Sequence, residues 1–105
     1  MKTLSIVVPS YNMEKYIERC LDSFISEKIM DRIEVLVIND GSKDSTLQIA
    51  KGYEEKYPGI FIAVDKINGG HGSTINKGIE LATGKYFKVV DADDWVDTDA
   101  LIKLV

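Results

Sequence analysis

Short apolar runs alternate with helical apolar patterns along the whole chain, and this alternation narrows the possible folds more than any other feature. Leu4 to Val8 is continuously apolar and is stopped by Pro9, which reads as a short buried strand. Met13, Tyr16, Ile17, Cys20, Leu21, Phe24 and Ile25 then recur at i, i+3, i+4 spacing and predict an amphipathic helix. Ile33 to Ile38 is a second strand, ended by Asn39-Asp40-Gly41-Ser42. A second helix is expected to start at Ser45, where Ser45 and Gln48 have capping-box spacing, and to run to Tyr57 before Pro58-Gly59. Ile60 to Val64 makes a third strand. After a loop from Gly69 to Gly72, a third helix is expected to carry Ile75, Ile79 and Ala82 inward and to end at Gly84. Tyr86 to Val90 reads as a fourth strand, and Thr98 or Asp99 opens a further helix.

A chain of 105 residues supports one small domain. The order βαβαβαβ places it in the α/β class, as an open, mostly parallel sheet with right-handed crossovers and helices on both faces. Ligands of such sheets bind beyond the carboxyl ends of the strands. The residues expected there are Pro9 to Asn12, Asn39 to Ser42, Asp65, Lys66 and Asp91 to Asp94. The opposite edge offers Gly59, Gly84 and ordinary surface charges.

Charge points to the same end. Residues 91–105 hold Asp91, Asp93, Asp94, Asp97 and Asp99 against Lys103, so the whole formal charge of −4 resides there. Such a patch repels nucleic-acid phosphates and attracts cations. Asp91-Ala92-Asp93-Asp94 directly follows the apolar Val89-Val90. Three carboxylates at a buried edge repel one another and lose hydration unless something compensates. Magnesium or manganese does so with one or two carboxylates, water and substrate phosphates. The competing reading is an acidic helix-capping turn, the role expected of Asp97 and Asp99.

The other candidates each carry two readings. Asp40 could accept a hydrogen bond from a base or a ribose hydroxyl, or satisfy local amides in an Asx-turn with Gly41 supplying an unusual φ. Tyr11 could stack on a base, or be a core residue with its hydroxyl at the surface. Asn68-Gly69-Gly70-His71-Gly72-Ser73 could cradle phosphate at the start of the third helix. It lacks the Gly-Lys-Ser/Thr ending of a P-loop, and no G-x-G-x-x-G is completed. His71 is the only histidine, so neither a histidine-based triad nor a zinc cluster can be assembled.

Taken together, the segments resemble family 2 of the inverting glycosyltransferases, with the GT-A, nucleotide-diphospho-sugar transferase-like fold. The resemblance rests on Val7-Val8-Pro9-Ser10-Tyr11-Asn12 and Val37-Ile38-Asn39-Asp40-Gly41-Ser42-Lys43-Asp44-Ser45-Thr46. It continues through Asn68-Gly69-Gly70 with Asn76, Gly84-Lys85-Tyr86-Phe87 and Asp91-Ala92-Asp93-Asp94. It implies that Pro9 and Tyr11 line a base pocket and that Asp40 pairs with the base. It places Asp91 near the ribose and the metal, and makes Asp93 a ligand of the Mn²⁺ or Mg²⁺ that bridges the diphosphate. The implied donor is a nucleotide-diphosphate-sugar, with a UDP-sugar expected first, and the acceptor a glycan or lipid-linked hydroxyl. Many relatives have an arginine where this chain has Ile75, so phosphate neutralisation is assigned to Lys66 or Lys77.

The resemblance also implies an acidic catalytic base well downstream of the metal motif, hence beyond Val105. Residues 1–105 are therefore expected to form the donor-binding part of the domain, truncated, without the acceptor-binding part. A non-enzymatic nucleotide-binding module is the main alternative. A haloacid dehalogenase-type phosphohydrolase is the lesser one, because its Asp-x-Asp follows the first strand rather than the fourth. No apolar run approaches the ~20 residues of a membrane span, and lone Cys20 forms no internal disulfide. These imply a cytoplasmic chain, with membrane association possible for a longer parent and self-association possible through an exposed sheet edge.

Overall fold

The computed structural model describes residues 2–105. Its elements follow in the order β1 (Leu4–Ser10), α1 (Ile17–Asp22), β2 (Ile33–Asp40), α2 (Thr46–Lys56), β3 (Phe61–Lys66), α3 (His71–Leu81), β4 (Tyr86–Val89) and α4 (Thr98–Leu104). The four strands form one parallel sheet in the order β3-β2-β1-β4. Helices cover both faces, as the alternation requires.

The two faces are built differently. Alternation along β1 and β2 sends Leu4, Ile6, Val8, Ile33, Val35 and Val37 to one face, where Ile17, Cys20, Leu21, Phe24, Ala50 and Leu101 of the α1, α2 and α4 segments meet them. Each fully buried aliphatic or aromatic side chain there contributes roughly 1.5–3 kcal/mol. The other face presents Val7, Leu36 and Ile38 to α3. Here the helix brings Thr74 and Gly78 inward rather than the expected Ile79, which is 56% exposed. A Cβ on Gly78 would lie 2.5 Å from Val7 Cγ1, so the helix rests almost directly on the sheet.

Several boundaries differ from expectation for local reasons. β1 runs through Pro9 to Ser10. Val7 C=O accepts from Val90 N–H, so alternation turns Pro9, which has no N–H, toward the β4 side, where the ladder has already ended at the Val7–Val89 pair. α1 keeps only Ile17–Asp22 of the predicted Met13–Ile25; the chain before it is tied to the segment after β2, where Met13 N–H donates to Thr46 Oγ1 at 2.8 Å and Glu14 N–H to Asp44 Oδ2 at 3.2 Å. The Ser45 side chain makes no capping bond, and Asp44 Oδ1 instead accepts from Thr46 N–H at 3.0 Å. Asp97 does cap α4, accepting from Ala100 N–H at 3.2 Å. β3 extends to Lys66, α3 begins at His71 and ends at Leu81, and β4 ends at Val89.

At the amino edge of the sheet a buried carboxylate ties α3 and β4 to the strands. Glu34, 4% exposed, accepts from Ser5 Oγ (2.6 Å), Thr83 N–H (2.6 Å) and Thr83 Oγ1 (2.9 Å), while Gly84 N–H donates to Ser5 Oγ (2.7 Å). Burial pushes the Glu34 carboxyl up, but these donors outweigh it and hold the group below its ordinary range. No helix among the described residues is long and apolar enough to cross a membrane.

Candidate functional site: a cleft at the carboxyl edge

Because β1 sits between β2 and β4, the crossovers on its two sides leave over opposite faces, and the strand ends open a crevice between them. A cleft of about 430 Å³ occupies this position. Pro9, Ser10, Tyr11 and Met13 line it from the end of β1, and Asp40 from the end of β2. Asn68, Gly70, His71 and Thr74 come from the entry to α3, and Asp91, Ala92 and Asp93 from the segment after β4. Five of the six residues expected to bind nucleotide or metal are thus brought together; Lys66 is not in the lining.

Tyr11 is 42% exposed on the wall of the cleft, so it is not a core residue. Its loop is braced against the end of β2: Asn12 N–H donates to Ser42 Oγ at 2.9 Å, and Lys43 N–H donates to Asn12 Oδ1 at 2.8 Å.

Asp40 organises the glycine loop. Its Oδ1 accepts from Lys66 Nζ and Gly69 N–H, both at 2.9 Å, and its Oδ2 accepts from Gly70 N–H at 2.9 Å. Burial raises the Asp40 carboxyl, but the Lys66 ammonium and the two loop amides outweigh it and keep the group below the usual carboxylate range. A carboxylate has about four acceptor positions, so one on Oδ2 is left without a partner. Gly41 adopts φ +71°, the turn conformation expected of it, and Asn68 Nδ2 donates to the Asp40 carbonyl at 3.0 Å. The Asx-turn reading gave Asp40 local partners; its partners are instead the amides of a loop 29 and 30 residues away.

The acidic turn faces this loop. His71 Nε2 lies 3.8 Å from Asp91 Oδ1, with both side chains mostly exposed. Asp93 has no ion-pair partner among the described residues, whereas Asp94 Oδ1 accepts from Trp95 N–H at 2.9 Å. From beneath, Cys20 Sγ donates to the Asp91 carbonyl at 3.6 Å, and the Arg19 guanidinium stacks 3.5 Å from the Trp95 ring centre. Burial, with the charges of Asp94, Asp91 and Asp93, pushes the Cys20 thiol up to about 12.

Among the described residues no group of three or more His, Cys, Asp or Glu side chains converges into a ready-made cage. A closed structural metal site is therefore not what this turn offers. Two open carboxylates on a cleft wall are hard oxygen donors of the kind that hold Mg²⁺ or Mn²⁺ together with water and phosphate oxygens. The donor set fits such an ion as a half-site. Ser10, expected at this edge, lines the cleft; sequence reasoning missed Met13 and Thr74, which nothing in their type or spacing marks, and only the approach of α3 to β1 brings Thr74 there.

The sheet, its crevice and the elements around it define an open α/β protein of the GT-A, nucleotide-diphospho-sugar transferase-like class. The chain belongs to glycosyl transferase family 2, whose model matches residues 5–105. It is 42% identical over 93 residues to the glycosyltransferase YibD of Escherichia coli, covering 89% of this chain and 26% of that protein. Among solved structures, S. aureus TarS in complex with UDP superposes with a TM-score of 0.87 at 33% identity, over 99% of this chain and 31% of that one. Mannosyltransferase PcManGT from Pyrobaculum calidifontis, in complex with GDP-Man and Mn²⁺, gives a TM-score of 0.83 at 28% identity, over 94% of this chain and 30% of that one. The chain spans about a quarter or less of the length of the curated relatives it matches. Membership of this family removes the phosphohydrolase reading of the acidic turn.

Proposed function

We propose that this chain forms the donor half of a metal-dependent, inverting glycosyltransferase and binds a nucleotide-diphosphate-sugar in the carboxyl-edge cleft. The observation that carries this reading is that Asp40, with three hydrogen bonds accepted, lines one crevice together with Tyr11, Asp91 and Asp93. Tyr11 and Pro9 form the wall on which the base lies. Asp40 accepts the ring N–H of a base such as uracil or guanine; cytosine offers an acceptor there and is disfavoured. The bound UDP and GDP-Man of the two structural neighbours are consistent with that choice, and UDP-sugars are the first donors to test.

The start of α3 faces the diphosphate, where a helix N-terminus favours negative charge, while the Gly69 and Gly70 amides stay on Asp40. Asp91 and Asp93 hold a divalent cation, with Asp91 also near the ribose; bound there, the ion supplies Lewis-acid charge to the leaving diphosphate. This chain's residues orient the donor and keep its diphosphate in place. An acceptor hydroxyl of a glycan or lipid-linked chain, deprotonated by a base outside residues 1–105, attacks the anomeric carbon from the opposite side. The experiment is calorimetric titration with UDP, GDP, dTDP and CDP, each with and without Mn²⁺. Metal-enhanced binding of UDP over CDP supports the reading; equal, metal-indifferent binding of all four overturns it.

A further inference from the structure

The ammonium of Lys66 is saturated, and this changes what the residue can do. It is 17% exposed and donates to Asp40 Oδ1 (2.9 Å), Ile67 C=O (2.7 Å) and Ser73 Oγ (2.8 Å). A lysine has three N–H donors, and all three are engaged inside the protein. Ser73 Oγ in turn donates to Gly70 C=O at 2.9 Å, closing a ring from β2 through β3 to the first turn of α3. The space is tight: a Cβ on Gly69 would meet Ser73 Oγ at 2.8 Å and Lys66 Nζ at 3.1 Å, so the lysine is built into the loop. Reaching a diphosphate would break three bonds and leave Asp40 a buried carboxylate without its counter-charge.

We propose that Lys66 is a positioning residue for base recognition and not a phosphate ligand, an inference that rests on donor binding in this cleft. By filling Oδ1 together with Gly69 N–H, Lys66 fixes the Asp40 carboxylate so that its one free acceptor, on Oδ2, faces the base. It also keeps that carboxylate ionised, and only the ionised form accepts from an imino N–H without offering a proton to cytosine. Lys66 thereby sets the preference between bases without touching the nucleotide.

The test compares uridine, UDP and CDP on the wild-type chain and on Lys66→Met, which keeps the length of the stem and removes the charge. Positioning through Asp40 weakens uridine and UDP by the same factor, about tenfold for loss of a well-set charge-assisted bond, and leaves CDP nearly unchanged. A phosphate contact would weaken UDP and CDP alike and leave uridine untouched, which overturns the proposal, as does a variant indistinguishable from wild type. A wild-type chain that binds none of the three overturns the donor-binding reading along with it. Should Lys66→Met not fold, NMR of the lysine Nζ in wild-type protein gives the same answer. The Lys66 signal should shift with uridine and stay still with pyrophosphate plus Mg²⁺, and the reverse pattern overturns the proposal.

Discussion

Glu34 and Asp40 stand six residues apart on the same face of β2, and the contrast between them separates a structural carboxylate from one that faces the proposed ligand cleft. Both are 4% exposed, both accept three hydrogen bonds, and both are held below the ordinary carboxylate range by their donors. Each pins one end of α3, Glu34 through Thr83 after it and Asp40 through Gly69 and Gly70 before it. Only Asp40 opens on a cleft. Burial, three accepted bonds and a displaced titration thus do not distinguish the two; position at the carboxyl edge, beside a crossover switch, does, and it makes Asp40 the candidate.

The contrast can be sharpened first at the proposed metal half-site, where the largest effect is expected. Asp93→Ala should remove the whole Mn²⁺- or Mg²⁺-dependent gain in UDP affinity while leaving the melting temperature unchanged, since an exposed carboxylate contributes little to the core. A metal response equal to wild type in calorimetry would remove Asp93 from the site. Next comes Asp40→Asn, which should weaken UDP by roughly tenfold or more, in line with ~1.5–3 kcal/mol for a charge-assisted bond, and erase its advantage over CDP. Unchanged discrimination would make Asp40 as purely structural as Glu34.

Glu34→Gln should do the opposite. An amide NH₂ facing the donors of Ser5 or Thr83 should reduce unfolding free energy by ~1–3 kcal/mol in urea, with UDP affinity of the folded chain unaltered. A change in nucleotide discrimination would break the comparison. A smaller effect concerns pH. Glu34 has a folded value below its unfolded one, so its stabilisation is present above the unfolded value near ~4 and is lost as pH falls through the folded value. The Glu34→Gln chain should therefore lose less stability than wild type as pH is lowered from 5 to 3, read from urea midpoints; parallel curves would contradict the assignment. The smallest effect is expected at Ile79, whose replacement by threonine should change stability by no more than about 0.5 kcal/mol because its side chain faces outward.

The strand-helix order and the carboxyl-edge cluster were legible in the sequence because both follow from periodicity and from the positions of loops. β2 and the ends of β1 and β4 were readable within a residue or two, and so was the meeting of Tyr11, Asp40, Asp91 and Asp93. What escaped depended on contacts distant in the chain. The chain before α1 is tied to Thr46 and Asp44, some 30 residues away, and no local propensity records those contacts. The inward face of α3 was sought among its aliphatic residues, whereas the sheet accepts Gly78, the residue with no side chain. Phosphate neutralisation was expected of Lys66 or Lys77, and no sequence signal records the three partners that Lys66 has within the protein.

The bare backbone at Gly78 also governs the width of the cleft at the other end of the helix. With no bulk between helix and sheet, α3 lies low over β1, and its first turn comes near enough to the acidic turn for His71 to approach Asp91. Seven residues separate Gly78 from His71, about 10 Å of helix at 1.5 Å per residue. A methyl group added at Gly78 acts as a shim under a stiff rod: it lifts α3 from the sheet and draws its first turn away from the opposite wall. The aperture of the cleft is in this way gauged by an atom that is missing from the underside of the helix.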